Sequence, residues 1–300
     1  MFVAILLAYP VYQPIDARAC GMGGAFTAIA DNAFSYYWNP GAMVFGNTGC
    51  MFYYQSYMDV PNLNIAALAF LTGRRNMRFG GGWIRTGTKF ESGDDYDLIN
   101  EAAASDNMFS IAFAGKIGRY IGVGAVLHRY LFSTFDGSAG GIGFDLGFAY
   151  RRKPIAFGVM ARNVLSSSGD EYYPTFYRGG LAFLLLPKVK LRKIVKGDRV
   201  RVVKEFYGYR VALSFDAEWR PWAIKETEEG WKEGVLHWYT GIEYAPLDMF
   251  GLRLGYSDLE KFSFGFTFGY RNFIFDFSYN LGENENGIGR MMRTSLTMRM

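Results

Sequence analysis

The chain has 300 residues, with 32 Lys and Arg against 28 Asp and Glu for a net charge of +4, and it is 18% aromatic with 37 glycines. Aromatics and glycine exceed ordinary usage while charged residues, at 20%, fall slightly short, which fits a sheet with large rings on one face and tight packing on the other. So modest a charge makes no demand for nucleic acid. Mean hydropathy near zero, with no apolar run of about 18–20 residues, excludes a bundle of transmembrane helices. A chain crossing lipid without helices has to close a barrel to satisfy its backbone.

In chain order, Met1 to Ala8 is apolar but short and lacks a basic flank, so residues 1–8 read as the remnant of an export signal cleaved after Ala8. Ala17-Arg18-Ala19-Cys20 superficially suggests lipoprotein processing, but Pro10, Gln13, Pro14, Asp16 and Arg18 separate the apolar run from Cys20 and rule that out. Cys20 and Cys50 could pair in an oxidising compartment; two unrelated small residues is the preferred reading. Residues 9–47 are not strand-like. Arg18 to Thr27 is rich in Gly and small residues, Asp31 stands where an N-cap would precede a helix over 32–37, and Asn39-Pro40-Gly41 ends it. A compact segment of this kind ahead of a barrel has the composition of an internal plug.

From Thr48 onward the sequence alternates in about fourteen runs of about ten residues, the length a tilted strand needs to cross a bilayer. The runs fall near 48–58, 62–73, 77–91, 107–118, 120–134, 141–152, 154–165, 175–193, 199–220, 235–246, 249–258, 261–270, 272–282 and 290–300. Breakers such as Lys153-Pro154 and Ala245-Pro246-Leu247-Asp248 separate them. The clearest pair runs from Phe262 to Leu281. Phe262, Phe264, Phe266, Phe268 and Tyr270 alternate with Ser or Gly or Thr, and Phe273, Phe275, Phe277 and Tyr279 alternate with Ile274, Asp276 and Ser278. A soluble barrel would turn the rings inward and show Lys and Glu to water. Here the second face is small and mildly polar, which suits a crowded lumen, and the aromatic face suits lipid. The fold class expected is therefore all-β: a transmembrane antiparallel β-barrel of residues 48–300 with a short helical plug of residues 9–47 in its lumen.

Several strands set charges opposite their apolar face: Asp145, Arg162, Asp216, Glu218, Arg220, Glu243, Arg253 and Asp276. An Arg or Lys facing lipid would cost roughly 2–4 kcal/mol at the midplane, so this set is expected to face the lumen, paired within itself or with the plug. The hairpin Lys188 to Lys204 alternates Lys and Arg with Val, Leu and Ile around Gly197-Asp198, and is expected to rise past the bilayer surface. It lacks the interleaved aromatics that single-stranded nucleic acid would need. The acidic stretches Ser92 to Asp106 and Glu226 to Glu233 read as outer loops.

Nucleotide, P-loop, HExxH, CxxC and GxSxG motifs do not occur, so neither enzyme chemistry nor a cofactor or metal is expected. Of the two histidines, His128 and His237, the second lies on a strand without a serine placed beside it by the sequence.

The segment Ala17 to Ala28, followed by Ala30-Asp31-Asn32-Ala33 and Trp38-Asn39-Pro40-Gly41-Ala42-Met43, resembles the plug of the PorV/PorQ family of FadL-like outer-membrane barrels. Phe144-Asp145-Leu146-Gly147, Ala161-Arg162-Asn163-Val164, Pro174 with Arg178-Gly179-Gly180, Gly241-Ile242-Glu243-Tyr244 and Leu252-Arg253-Leu254-Gly255-Tyr256 are similar to later motifs of that family. The resemblance implies fourteen strands with an N-terminal hatch, whose motif falls here on Arg18, Gly21, Gly23, Gly24, Asp31, Asn39, Pro40 and Gly41. Two departures stand out. Asn39-Pro40-Gly41-Ala42 replaces the family's N-P-A-G, and the last residue, Met300, replaces the usual terminal aromatic. The resemblance further implies a bacterial outer-membrane location, contact with membrane lipids, and one of two roles. FadL-like members pass hydrophobic small molecules, the hatch moving and a wall opening releasing the solute sideways. PorV-like members receive exported proteins in type IX secretion. A structural barrel with neither role is the third expectation.

Overall fold

The computed structural model describes residues 14–59, 63–74, 76–90, 102–134, 137–168, 171–196, 199–227, 230–281 and 289–300. The expected signal remnant at 1–8 and the acidic residues 92–101 lie outside them. Two short helices, α1 (Ala17–Gly21) and α2 (Ser35–Trp38), and a 3-10 turn, Pro40–Phe45, precede the strands. The strands are β1 (Gly49–Tyr57), β2 (Asn64–Arg74), β3 (Met77–Phe90), β4 (Ala102–Ile117), β5 (Ile121–Thr134), β6 (Gly137–Arg152), β7 (Ile155–Ser168), β8 (Glu171–Tyr173), β9 (Phe176–Lys196), β10 (Arg199–Thr227), β11 (Gly230–Leu247), β12 (Phe250–Ser257), β13 (Lys261–Tyr270), β14 (Phe273–Asn280) and β15 (Met291–Arg299).

Each strand pairs antiparallel with its sequence neighbour, β1 pairs with β15, and the ring closes. Fourteen strands form it, with the three-residue β8 attached only to the end of β7. Closure follows from the alternation. A period of two with one face buried fixes register, because a one-residue slip would turn every ring to the wrong side. The outcome is clear on β13 and β14. Phe266 is 37% exposed while Ser263 is 2% exposed, and the register sets Phe264 opposite Tyr279, Phe266 opposite Phe277 and Phe268 opposite Phe275. The Phe266 and Phe277 rings stack at 5.2 Å on the outside of the wall. Leu252, Leu254, Leu296, Phe109 and Leu68 continue that apolar band around the ring.

Residues 14–47 fold inside this wall and are almost entirely buried. They touch strands on opposite sides. Ala17 N donates to Ser295 Oγ of β15 at 2.9 Å, Asn39 Nδ2 to the Phe148 carbonyl of β6 at 3.0 Å, and Arg78 of β3 to the Gly46 carbonyl at 3.2 Å. The segment thus crosses the lumen.

Three sequence expectations need correction. Asp31 caps no helix: α2 starts after Phe34, whose N–H is met by Asn32 Oδ1, while Asp31 turns to Arg18. The helix missed is α1, capped by Asp16 Oδ1 on Arg18 N. The acidic stretches are also not wholly loop, because Ala102 to Asp106 lies in β4 and Glu226 pairs with Trp231 across the β10–β11 hairpin. Alternation records one buried face. The ladder joins backbone to backbone whatever the side chains, so it continues past the point where the alternation stops. At the opposite end, near Thr48 and Met300, the β9–β10 ribbon outruns its neighbours. β7 pairs with β9 only as far as Phe183, and β11 meets β10 from Val211. Beyond those points the two strands pair with each other out to Lys196 and Arg199. Lys188 Nζ on Asp248, at 2.8 Å, ties the root of the ribbon to the rim.

Candidate functional site: the occupied interior and the seam in its wall

Every one of the eight charged residues expected in the lumen lies on the inward face, and seven of them are nearly fully buried; Arg220 is only partly so. They fall into three groups, each holding part of the inner segment.

Glu243 of β11 is the hub of the first. Arg18 grips it with two nitrogens, Nε at 2.9 Å and Nη2 at 2.8 Å, and Arg253 Nε adds a third donor at 2.8 Å. Arg18 also pairs with Asp31 at 2.5 Å and donates to the Tyr209 hydroxyl at 3.0 Å. Arg253 Nη1 lies 3.0 Å from Asp276, so the network runs from α1 across β11 and β12 to β14. Burial and the like charge of Asp276 push the Asp16 carboxyl beside this group up to about 7, in spite of its bonds from Asn32 and Arg18 N.

In the second group Arg178 of β9 bridges Asp216 and Glu218 of β10, both at 3.2 Å, and donates to the Gly24 carbonyl. Asp216 Oδ2 accepts Phe26 N at 3.1 Å and Thr27 N at 2.9 Å, and Arg220 pairs with Glu218. The Arg178 guanidinium lies 4.0 Å from the centroid of the Tyr239 ring.

The third group gathers around Asp145 of β6. His128 Nε2 lies 3.0 Å from Asp145 Oδ2, and His128 Nδ1 lies 2.8 Å from Ser110 Oγ. Asp145 Oδ1 accepts the backbone N–H of Asn163 at 2.9 Å, and Arg162 Nε approaches Oδ2 at 3.6 Å. Arg162 in turn donates to the Tyr37 carbonyl and lies 4.2 Å from the centroid of the Tyr37 ring. A serine therefore does stand beside a histidine, though the histidine is His128 rather than His237. The connectivity has the form of a hydrolytic relay. Ser110 is buried at 5% exposure and pairs across the ladder with Gly82, over which Tyr36 Oη is seated. The array joins four strands, β4 to β7, and the inner segment.

Glycine on the inner wall gives this segment room. A Cβ on Gly255 would lie 1.9 Å from Gly23 N, and Gly23 itself has φ +64. Gly147 makes the same allowance beneath Asn39, where a Cβ would come within 2.4 Å of Asn39 Oδ1. Of the remaining hatch-motif residues, Gly21 packs on Gly265, Gly24 accepts from Arg178, and Pro40 and Gly41 lie on β5 at Gly124 and Gly122. Wall glycines at inward strand positions were a signal available in the sequence. Arg178, Tyr209 and Arg293 were missed as partners; Arg293 is fully buried and bonds Gln55 at 2.9 Å and Glu260 at 2.6 Å. The Cys20 thiol, on the buried α1 and unpaired to Cys50, is pushed by burial up to about 12 and is inert. Among the described residues there is no cluster of His, Cys, Asp and Glu able to hold a metal.

The wall is interrupted once near the third group. Between β6 and β7 the register passes from Ile142↔Ser167 to Phe144↔Val164 to Leu146↔Ala161, an extra β7 residue at each step, with φ +58 at Asn163 and +56 at Leu165. β7 also leaves β9 at Arg162. Adjoining this break at the Leu146↔Ala161 pair, an apolar hollow of about 730 Å³ is bounded by Leu146, Val159, Ala161, Tyr177, Gly179 and Trp219. A second, polar hollow of about 670 Å³ opens at the Met300 end around Arg18, Asp31 and Glu243.

No family model matches the chain, and no curated protein does. Solved structures do. The chain is similar to the CymD monoaromatic hydrocarbon channel at 13% identity and TM-score 0.61, over 95% of this chain and 97% of that one. The toluene transporter TodX of P. putida is similar at 13% identity and TM-score 0.60, over 96% and 98%. A FadL homologue of Pseudomonas aeruginosa follows at 10% identity and TM-score 0.54, over 96% and 99%. At these identities the likeness establishes the fold, that of the FadL-like barrels.

Proposed function

We propose that the chain is a non-enzymatic channel of the bacterial outer membrane that passes small hydrophobic molecules, with residues 9–47 as its hatch and 48–300 as its barrel. One observation carries the reading. The lumen is crossed by a segment held by buried ion pairs, while the wall beside it is bulged at the β6–β7 seam, next to an apolar hollow on the outer face. A solute entering from the loop end meets Tyr36, Tyr37 and Trp38 and leaves sideways into lipid at that seam. The outward aromatic band gives the barrel its seat in the bilayer, where Trp and Tyr favour the interfacial level. Neighbours that carry toluene and other monoaromatic hydrocarbons by name point to apolar rings as the solute class. The secretion role implied by the PorV/PorQ resemblance finds no support in those neighbours. The reading is tested by reconstituting the full chain in liposomes and following toluene delivery to an entrapped reporter, with glucose as the polar control. Toluene entry above protein-free liposomes, with glucose excluded, is expected; equal glucose entry, or no gain for toluene, would overturn it.

A further inference from the structure

We propose that the Asp145 carboxylate is the latch that holds the β6–β7 seam shut, with Arg162 making its release depend on the inner segment; this rests on the sideways-release reading above. A bulge leaves backbone groups without ladder partners, and a buried N–H left so is costly. At this seam the Asn163 N–H finds Asp145 Oδ1 at 2.9 Å, so a side chain of β6 replaces the missing backbone acceptor. The carboxylate is held from three directions. His128 Nε2 reaches it from β5 at 3.0 Å, which requires the hydrogen on Nε2 and leaves Nδ1 to accept from Ser110. Arg162 approaches from β7 at 3.6 Å. Arg162 also bonds the inner segment, through the Tyr37 carbonyl and ring.

A shift of α2 that carries Tyr37 away therefore removes one of the contacts that aim Arg162 at Asp145, the Phe176 ring 5.4 Å away being another. Asp145 then holds the seam through the Asn163 N–H alone, steadied from β5 by His128, and the positive-φ residues Asn163 and Leu165, the second 81% exposed, are the hinge about which the end of β7 swings. Asp145 is thus a positioning residue, acting on the solute path through the wall.

The test uses the full chain in liposomes with two readouts. Amide exchange at Asn163 and Leu165 reads the latch whether or not solute crosses, and toluene entry reads the path. Asp145→Ala is expected to speed exchange at both amides by about tenfold or more and to raise toluene entry. Asp145→Asn keeps an acceptor but drops the charge, is the gentler variant should the first not fold, and is expected to show a smaller acceleration of the same two amides. Phe144→Cys with Val164→Cys, paired residues across the seam, should block toluene entry when oxidised and restore it when reduced. Unchanged exchange in both Asp145 variants would overturn the latch, as would toluene entry indifferent to the cross-link. Absence of toluene entry in the wild type would instead remove the transport reading, leaving the exchange result to decide the latch on its own.

Discussion

At the residue scale the interior is governed by carboxylates that cannot be left alone. Glu243 accepts from Arg18 and Arg253 at once, so Glu243→Gln leaves two buried guanidinium groups short of charge, and breaking such a pair costs about 3–5 kcal/mol. The expected result is a lower unfolding temperature in detergent, with α1 losing exchange protection first. An unchanged melting curve would mean that Arg18 finds enough in Asp31 and Tyr209. Asp16 carries a pH dependence of the opposite kind. Burial, and then Asp276, raise its carboxyl from 3.8 to about 7. The folded state therefore binds the proton more tightly than the unfolded chain, and the contribution to stability is full below about pH 4 and lost as pH rises through about 7. Protection factors at Ala19 to Gly21, which remove the base-catalysed rise common to all amides, should fall between about pH 5 and about pH 8, and Asp16→Asn should flatten that fall.

At the element scale the inner segment fits closely against glycine-lined strands, and that fit is testable. Gly255→Ala would bring a Cβ to 1.9 Å from Gly23 N, against backbone rather than a yielding side-chain tip. Overpacking of this kind costs about 1–3 kcal/mol or more. The barrel should still close, because its ladder is untouched, while protease added to the purified protein should reach residues 17–43 faster than in the wild type. Equal protection would show that the segment shifts without loosening.

The strands were legible from sequence for the same reason that they are stable. Phe262 to Tyr270 alternates because one face is apolar and the other is occupied, and each strand carries that signature alone. α1 was not read from sequence: Asp16 is a local cap signal, but only five residues follow it, and the bonds to β15 and Glu243 that hold them leave no local pattern. Asp145 was legible as an inward charge. That it meets His128 and Ser110 depends on the registers Ser110↔His128 and Val126↔Asp145, which no single strand reveals. The break in β7 was hidden as well. Asn163 tolerates a positive φ, but Leu165 does not advertise one.

At the scale of the whole molecule, the barrel separates two faces, with rings outward and small or paired polar groups inward. Deleting residues 17–43 should convert a closed wall into an open pore and raise single-channel conductance; an unchanged, closed conductance would deny the segment its role as a hatch. The most direct measurement of the separation itself is spin-label accessibility on β13 and β14 in proteoliposomes, with Cys50→Ser as background and labels at Phe266→Cys and Phe277→Cys against Ser278→Cys. Labels at 266 and 277 are predicted to collide with oxygen dissolved in the acyl chains and to be shielded from a water-soluble nickel chelate, while 278 meets neither freely. Labels at 266 and 277 that collide with the nickel chelate instead would place the aromatic face in water and contradict the membrane barrel outright.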